Sequence, residues 1–381
     1  MRKYFVIIGF GCVLLMSLLT VPAQRVQAKE LDVVFINPGR SGEVFWDMVS
    51  DFMLAAAQDL DINLNIITSE RNHLLMERLA RDVTNAESPP DYLILVNEKQ
   101  AVGKILPDIT KNTKVIILNN GLSKKEHLRY GLPRQLYPNW LASIVPDHKQ
   151  AGYDLMQSLA NAEIGPNGNL EKLHKNMLAI GGNKTTLASQ LRLEGMQEFL
   201  LGRGSIHLRQ TIYSDWRRDK AESQIFSLLR RWPNISVIWA ASDPMALGAL
   251  AAIKKRKLIP GKDVHIGGLN WSAEALQKIN TGEMAVTVGG HFMLGGWALV
   301  MIHDRHNGQD FEDLGDIITF PMSLINRDNV SEYLSVFGDQ DWKKIDFKKF
   351  SRIKTAPRAD YDFSLIRLLR NASDVRADKT D

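Results

Sequence analysis

Eight short segments of this chain bring aromatic, amide, hydroxyl or charged side chains together. They are Gly42-Glu43-Val44-Phe45-Trp46, Thr68-Ser69-Glu70-Arg71, Asn97-Glu98, Asn119-Asn120, Asn183 with Arg192, Asp215-Trp216, Ser242-Asp243 and Asn270-Trp271. A flat ring packs against the C–H face of a polyhydroxylated molecule, while amides and a guanidinium fork serve its hydroxyl edge. These residue types suit recognition of a small polar ligand better than bond-making. Single residues allow other readings. Phe45 and Trp46 also fit core packing at a helix start, and Arg192 also fits a surface i,i+4 partner on its helix. Trp216 stands in Ser214-Asp215-Trp216-Arg217-Arg218, a polar setting in which a core role is less natural.

Patterns that would argue for catalysis are missing. No Gly-x-Ser-x-Gly elbow, His-Glu-x-x-His pair or EF-hand loop occurs in the sequence. Gly181-Gly182-Asn183-Lys184-Thr185 lies between a strand and a helix, a geometry able to bind an anion, but it lacks the Walker spacing. His303-Asp304-Arg305-His306 sets two imidazoles three residues apart. Such a pair can hold a metal, or it can simply end a solvated helix before Asn307-Gly308. The one cysteine, Cys12, lies in the N-terminal apolar run, so no disulfide or thiol chemistry is expected. The expectation is a non-enzyme with no catalytic residue, no cofactor and no metal.

The elements that must position the eight segments alternate. From Leu31 onward, short β-branched runs (Leu31–Ile36, Leu64–Thr68, Tyr92–Val96, Lys114–Leu118) are separated by helical periodicity over Phe45–Leu60, Leu74–Thr84 and Ala101–Thr110. A second series follows the irregular stretch Leu132–Asn139. Its strands are expected at Met177–Ile180, Ile206–Ile212, Val237–Ala240 and Val264–Leu269, and its helices at Gln150–Ala160, Leu187–Leu200, Lys220–Arg231 and Pro244–Lys255. Alternation with short links implies right-handed crossovers and two mostly parallel, doubly wound sheets. The segments singled out fall at the carboxyl ends of these strands, where an open α/β sheet binds ligands. The stretch from Asp339 to Asp381 is strongly charged, with a short helix possible at Phe363–Leu369, and its end reads as frayed or as a partner contact.

Arg2 and Lys3 precede an apolar run to Val21, and Val26-Gln27-Ala28 offers small residues at −3 and −1, so a signal peptide cut after Ala28 is expected. An uncleaved anchor is the alternative, the run being near the lower length for a span. Arg2, Lys3 and Arg25 carry most of the net charge of +4, so the remainder is close to neutral and gives no electrostatic case for nucleic acid.

In this order and spacing, several segments resemble the type I periplasmic substrate-binding proteins of the ribose- and galactose-binding branch. They are Ile238–Ala249 with Ser242-Asp243-Pro244-Met245-Ala246-Leu247-Gly248, Gly267-Gly268-Leu269-Asn270, Ile279–Glu283 with Ala285-Val286-Thr287, Arg192–Met196, and Leu324–Val330. The resemblance covers nearly all of the chain from Lys29 to about Leu334. It implies two Rossmann-like lobes joined by three hinge crossings, near Ile144-Val145, Gly289-Gly290 and Ile317–Thr319. The first lobe would take residues 29–144 and 291–318, the second 145–290 and 319–340, leaving 341–381 as the charged tail. It implies Phe45, Trp46 and Trp216 as stacking aromatics, Glu43, Asn97, Asn119 and Asn120 as first-lobe polar contacts, and Arg192, Ser242 and Asn270 as second-lobe ones. Departures stand out: Asn119-Asn120 occupies a usual Asp-Arg position, Ser242 a usual Asn, Asn270 a usual Asp, Gly290 a usual Gln, and Glu43 a frequent Asn. The implied function is a monomeric periplasmic receptor that closes on a sugar- or polyol-like ligand and presents it to a membrane ABC permease. Alternatives are a sensing receptor for a membrane histidine kinase or cyclase, a LacI-type regulator, which would need a helix-turn-helix where the signal peptide stands, and an enzyme on the same scaffold.

Overall fold

The computed structural model describes residues 31–164, 175–203, 205–353 and 360–378. The segment containing the expected cut after Ala28 lies outside these residues. The first series of elements is β1 (Leu31–Asn37), α1 (Val44–Asp59), β2 (Ile62–Thr68), α2 (His73–Thr84), β3 (Tyr92–Leu95), α3 (Leu106–Ile109), β4 (Lys114–Leu118), α4 (Lys124–Tyr130) and β5 (Trp140–Pro146). Strands such as β3 read as unbroken apolar runs because helices cover both faces of the sheet. The helix expected over Ala101–Thr110 is instead a 3₁₀ turn at Gly103–Ile105 followed by the four-residue α3. Pro107, within its first turn, has no N–H to continue a longer helix. Helix α4 was not evident from apolar spacing; a capping box between Ser123 and Glu126 starts it.

The second series is α5 (His148–Ile164), β6 (Lys175–Gly181), α6 (Leu187–Leu200), β7 (Ile206–Tyr213), α7 (Arg218–Arg231), β8 (Ile235–Ala240), α8 (Asp243–Lys255), β9 (His265–Leu269), α9 (Ala273–Asn280) and β10 (Val286–Gly289). The chain then runs through α10 (Leu294–His306), β11 (Ile317–Phe320), β12 (Ser323–Asn326), α11 (Val330–Phe337) and α12 (Leu365–Asp378). Among the described residues the strands form two sheets, ordered β11-β5-β4-β3-β1-β2 and β12-β10-β9-β8-β6-β7. Every pairing is parallel except β10 with β12. The molecule is thus two α/β lobes. The chain passes between sheets after Pro146, after Gly289 and after Phe320. The second passage is where the sequence put it. Ile144-Val145 and Ile317–Thr319 lie inside β5 and β11, so the other two come slightly later than expected.

In the second lobe, α5 and α6 lie with their backbones in contact. A Cβ on Gly152 would meet the Arg192 carbonyl oxygen at 2.0 Å, and one on Gly195 would meet that of Lys149 at 1.8 Å. The two glycines therefore bring the start of α5 and the middle of α6 together, and with them His148 and Arg192.

The tail from residue 339 packs on the body over its described part, and the short helix allowed at Phe363–Leu369 is the longer α12. Trp342, Phe347 and Phe350 are buried, and Phe52 of α1 meets Trp342 and Phe347 edge-on at 5.5 and 5.3 Å. Phe363 stacks on Trp297 of α10 at 4.5 Å and 11°. Asp304, fully buried on α10, accepts from Ser351 Oγ (2.5 Å), the Arg352 amide (2.7 Å) and the Tyr361 hydroxyl (2.8 Å). The aromatic spacing within a charged background is what holds the segment down. The 303–306 segment is therefore an anchor for the tail, and among the described residues no three metal-ligating side chains cluster. Phe347→Ala should lower the unfolding free energy by about 3–5 kcal/mol in a denaturant titration, the usual cost of emptying a buried aromatic site; a loosely attached tail would show no change.

Candidate functional site

One cavity of about 480 Å³ lies between the lobes, bounded by the loops at the carboxyl ends of strands from both sheets. At the end of β1, Asn37 fixes the turn. Its Oδ1 accepts from the Gly39 amide at 2.7 Å, and its Nδ2 donates to the Trp46 carbonyl and Ser50 Oγ. This turn sets Phe45 and Trp46 at the start of α1, where Phe45 packs edge-on to Trp46 and stacks on His291 at 4.7 Å. Glu43 caps nothing with its side chain. It is gripped by Arg71, whose guanidinium also reaches Glu98 at 3.3 Å and lies 5.7 Å from the Trp46 ring. After β4, Asn119 takes a left-handed backbone (φ 63°), and both Asn119 and Asn120 are buried.

From the second lobe, Trp216 enters from the loop after β7. A Cβ at Gly182 would meet its ring at 2.2 Å, so the glycine there makes room for the indole. Ser242 precedes α8, and Asn270 follows β9. Arg218 and Glu274 form a two-pronged ion pair that also borders the cavity, at 2.6 and 2.9 Å.

Arg192 is buried and joins these parts. Its Nε donates to His148 Nδ1 at 3.3 Å, one terminal nitrogen donates to the Ala241 carbonyl at 2.7 Å, and the other meets His291 Nε2 at 3.0 Å. It is not a surface helix partner. Burial pulls its pKa down to about 9, against the pull of Asp243 in the other direction. Burial, with Arg192 beside them, also holds His148 and His291 well below the usual histidine range. Asp243 is pushed up to about 6 by burial, although the Ser272 amide and hydroxyl and the Thr287 hydroxyl all donate to it.

Nine of the ten residues named from sequence line this cavity: Glu43, Phe45, Trp46, Asn119, Asn120, Arg192, Trp216, Ser242 and Asn270. Asn97 does not. Its amide donates to the Gly121 carbonyl and to Glu126, and its oxygen accepts from the Val102 amide, so it ties the β3 loop to α4. Arg71 and His291 were not singled out, yet both line the cavity. Arg71 stood at the end of a strand, in a segment already noted. His291 had only its place beside the Gly289-Gly290 crossing to mark it. The Gly181–Thr185 loop is closed on itself, with Asn183 Oδ1 accepting from the Thr185 amide (2.9 Å) and hydroxyl (2.6 Å).

Among the described residues, five buried polar atoms on cavity-lining residues have no hydrogen-bond partner: Trp46 Nε1, His291 Nδ1, Asn119 Oδ1, Asn120 Oδ1 and Ser242 Oγ. A buried polar atom left without a hydrogen bond costs about 1–3 kcal/mol. Five such atoms belong to residues that line this one cavity, where Phe45 and Trp216 supply aromatic walls.

The buried imidazoles also set a pH dependence. In the folded chain His148 and His291 stay neutral, whereas in the unfolded chain they take up protons below about pH 6.5. The unfolded state therefore binds more protons there, and stability is lost as pH falls. Asp243 acts in the opposite sense between about pH 4 and 6, because the folded chain holds its proton longer. Each group weighs at most about 1.4 kcal/mol per pH unit, so the two histidines prevail. The melting temperature is expected to drop between pH 7.5 and 5.5, and replacing both histidines by glutamine should flatten that drop in calorimetric scans.

The comparisons agree with this architecture. Residues 33–310 match the family described as the periplasmic binding protein domain. The crystal structure of a periplasmic sugar-binding protein from Pseudomonas fluorescens is similar over 89% of this chain and 99% of its own, with a TM-score of 0.80 and 35% identity. The D-allose-binding periplasmic protein of Escherichia coli (strain K12) is 31% identical over 109 residues, 29% of this chain and 34% of its own length. The lactose operon repressor of Klebsiella pneumoniae is 29% identical over 103 residues, 27% of this chain and 29% of its own. The chain thus spans roughly a third of the length of these curated relatives. With a family match over most of its length and two mainly parallel lobes around one cleft, the chain belongs to the periplasmic binding protein domain family.

Proposed function

We propose that this protein is a periplasmic receptor that binds a sugar- or polyol-like ligand in the interlobe cleft and presents it to a membrane ABC permease, without chemical change. The five unpartnered polar atoms between aromatic walls carry this reading. They mix donors (Trp46 Nε1, His291 Nδ1), acceptors (the two Asn oxygens) and a hydroxyl, which is the complement of a molecule whose every hydroxyl both donates and accepts. Charge points the same way. Glu43 is spoken for by Arg71, Glu274 by Arg218, and Asp243 by Ser272 and Thr287, so no free carboxylate on these residues awaits a cation. The sugar-binding protein similar over nearly its whole length supports the ligand class, and the allose-binding relative supports the compartment. Export would use the N-terminal segment, and among the described residues no helix is long and apolar enough to cross a membrane.

Closure follows from the same contacts. Phe45 of the first lobe stacks on His291 at the second crossing, and Arg192 of the second lobe holds that imidazole. A ligand that touches Trp46 and Asn120 on one side and Trp216 and Ser242 on the other is fully bound only when the lobes meet, and that differential affinity is what shifts the open–closed equilibrium.

A melting-shift screen of neutral monosaccharides and cyclitols, D-allose and myo-inositol among them, tests the proposal. A ligand at about 100 times its Kd should stabilise the native state by about 2.7 kcal/mol. Trp216→Ala should remove that shift and leave the unliganded melt nearly unchanged, since Trp216 is only partly buried. Arg192→Ala is the poorer probe, because it also leaves Ala241 and both histidines without their donor. Persistent full affinity in Trp216→Ala would refute the cleft as the binding site.

A further inference from the structure

We propose that His291 is a ligand-contacting donor whose tautomer is fixed by Arg192, with its Nδ1–H as the group that meets an oxygen of the ligand. This rests on the cleft reading above and adds a residue whose role neither sequence motif nor resemblance supplied. The argument is a count of protons. A guanidinium has only donors. Arg192 lies 3.0 Å from His291 Nε2 and 3.3 Å from His148 Nδ1, so both of those ring nitrogens must present lone pairs while the contacts stand. Neutral imidazole carries one proton, and it therefore sits on the other nitrogen of each ring.

For His148 the result is complete. Its Nε2–H donates to the Asn119 carbonyl at 3.2 Å. For His291 it is not: Nδ1–H is buried and has no partner among the described residues. The residue itself is 4% exposed and forms part of the cavity wall. The ring cannot turn over to use the other nitrogen without losing Arg192, and Phe45 stacked at 4.7 Å holds its plane. His291 also borders a smaller hinge cavity of about 260 Å³, lined by Trp271 and Trp297 and also by Ser323, Tyr361, Asp362 and Ser364, yet none of these groups is hydrogen-bonded to Nδ1. The groups that act electrostatically on the ring are Arg192 and His148, with Asp243 acting on Arg192, while Tyr361 and Asp362 across the hinge cavity are bonded to Asp304 and to the Ser364 amide. None of them relieves the Nδ1–H, because Arg192 donates and both His148 nitrogens are engaged. What remains is an acceptor brought in from outside, a hydroxyl, ether or carbonyl oxygen of the molecule in the cleft.

Two measurements on the full chain test this. First, ¹⁵N-resolved imidazole spectra of the unliganded protein at pH 7.5, assigned with His148→Gln and His291→Gln, should show His291 protonated on Nδ1 and His148 on Nε2. An Nε2–H signature at His291 overturns the proposal whatever the ligand is. Second, titration with D-allose compares His291→Asn, which keeps an N–H at the Nδ1 position, with His291→Gln, which keeps an acceptor at the Nε2 position and has no donor at Nδ1. Asn should bind within about threefold of the parent and Gln about tenfold more weakly, the worth of one hydrogen bond to a buried group. Unliganded melts establish that both variants fold. Equal losses, or the reverse order, mean that His291 only receives Arg192, and the assignment fails. If the parent protein binds neither D-allose nor any other sugar in the screen, the sugar reading falls while the tautomer spectrum still decides this one.

Discussion

A guanidinium buried between two sheets is expensive unless every direction around it is occupied, and the arrangement around Arg192 follows from meeting that condition. Its three bonded directions end on His148, the Ala241 carbonyl and His291, which belong to the first crossing, the end of β8 and the second crossing. Asp243 supplies the opposing charge and is itself held by Ser272 and Thr287. One cation thereby ties together two passages of chain and the end of β8, the parts that must keep register if two lobes are to share a cleft. It also dictates the chemistry of its neighbours. Both histidines are held neutral, and so act as fixed-polarity groups instead of charges.

This constraint explains a feature of the helices that composition alone does not. For the side chain of Arg192 to pass between β8 and the crossings, α6 must approach α5 until backbone meets backbone. Gly152 and Gly195 are the positions where any Cβ would collide with the facing carbonyl. The close contact and the buried cation are two aspects of one arrangement, since spreading α5 from α6 would draw His148 away from the Arg192 Nε.

Much of this was legible in advance, and the reasons differ by element. Strands buried on both faces announce themselves as apolar runs, and helices with one wet face by their period, so the alternation and the strand ends were readable. Trp216 stood out because a tryptophan between charges has no core to join. Arg192 was readable as a candidate but not as a hub, because its partners lie 44, 49 and 99 residues away in the chain. Asn97 looked the same as Asn119 and Asn120 from the sequence: all three follow strands. Only the capping-box residue Glu126, arriving from α4, claims the amide of Asn97 and leaves the other two with free oxygens. His291 carried no pattern, since a ring that matters by where its proton sits is invisible to spacing. In the tail the charges outnumber the rings, yet the rings of Trp342, Phe347, Phe350 and Phe363 decide its fate by packing on α1 and α10.

The backbone tells the same story independently of any side-chain contact. Residues other than glycine with left-handed φ include Glu70, Arg71, Asn119, Asp215, Trp216, Asn270 and Trp271, all immediately beyond strands that point at the cleft. Each such conformation costs on the order of 1 kcal/mol or more and survives only where its surroundings over-determine it. For asparagine and aspartate the cost is modest; for tryptophan and arginine it is not. Trp271 shows how the conformation is enforced, with its indole N–H donating to the Ser323 carbonyl and its ring set against Gly289 and Gly290 at the second crossing. Trp216 is held by the hollow that Gly182 leaves and by the guanidinium of Arg192, 5.8 Å from its ring. Strain at these loops is therefore matched by anchors in the crossings and in the buried cation. Relaxing any one of these loops to a more comfortable φ would swing its side chain out of the shared wall. The loops are strained because the cavity requires their side chains to converge, and the two sheets are rigid enough to hold them there.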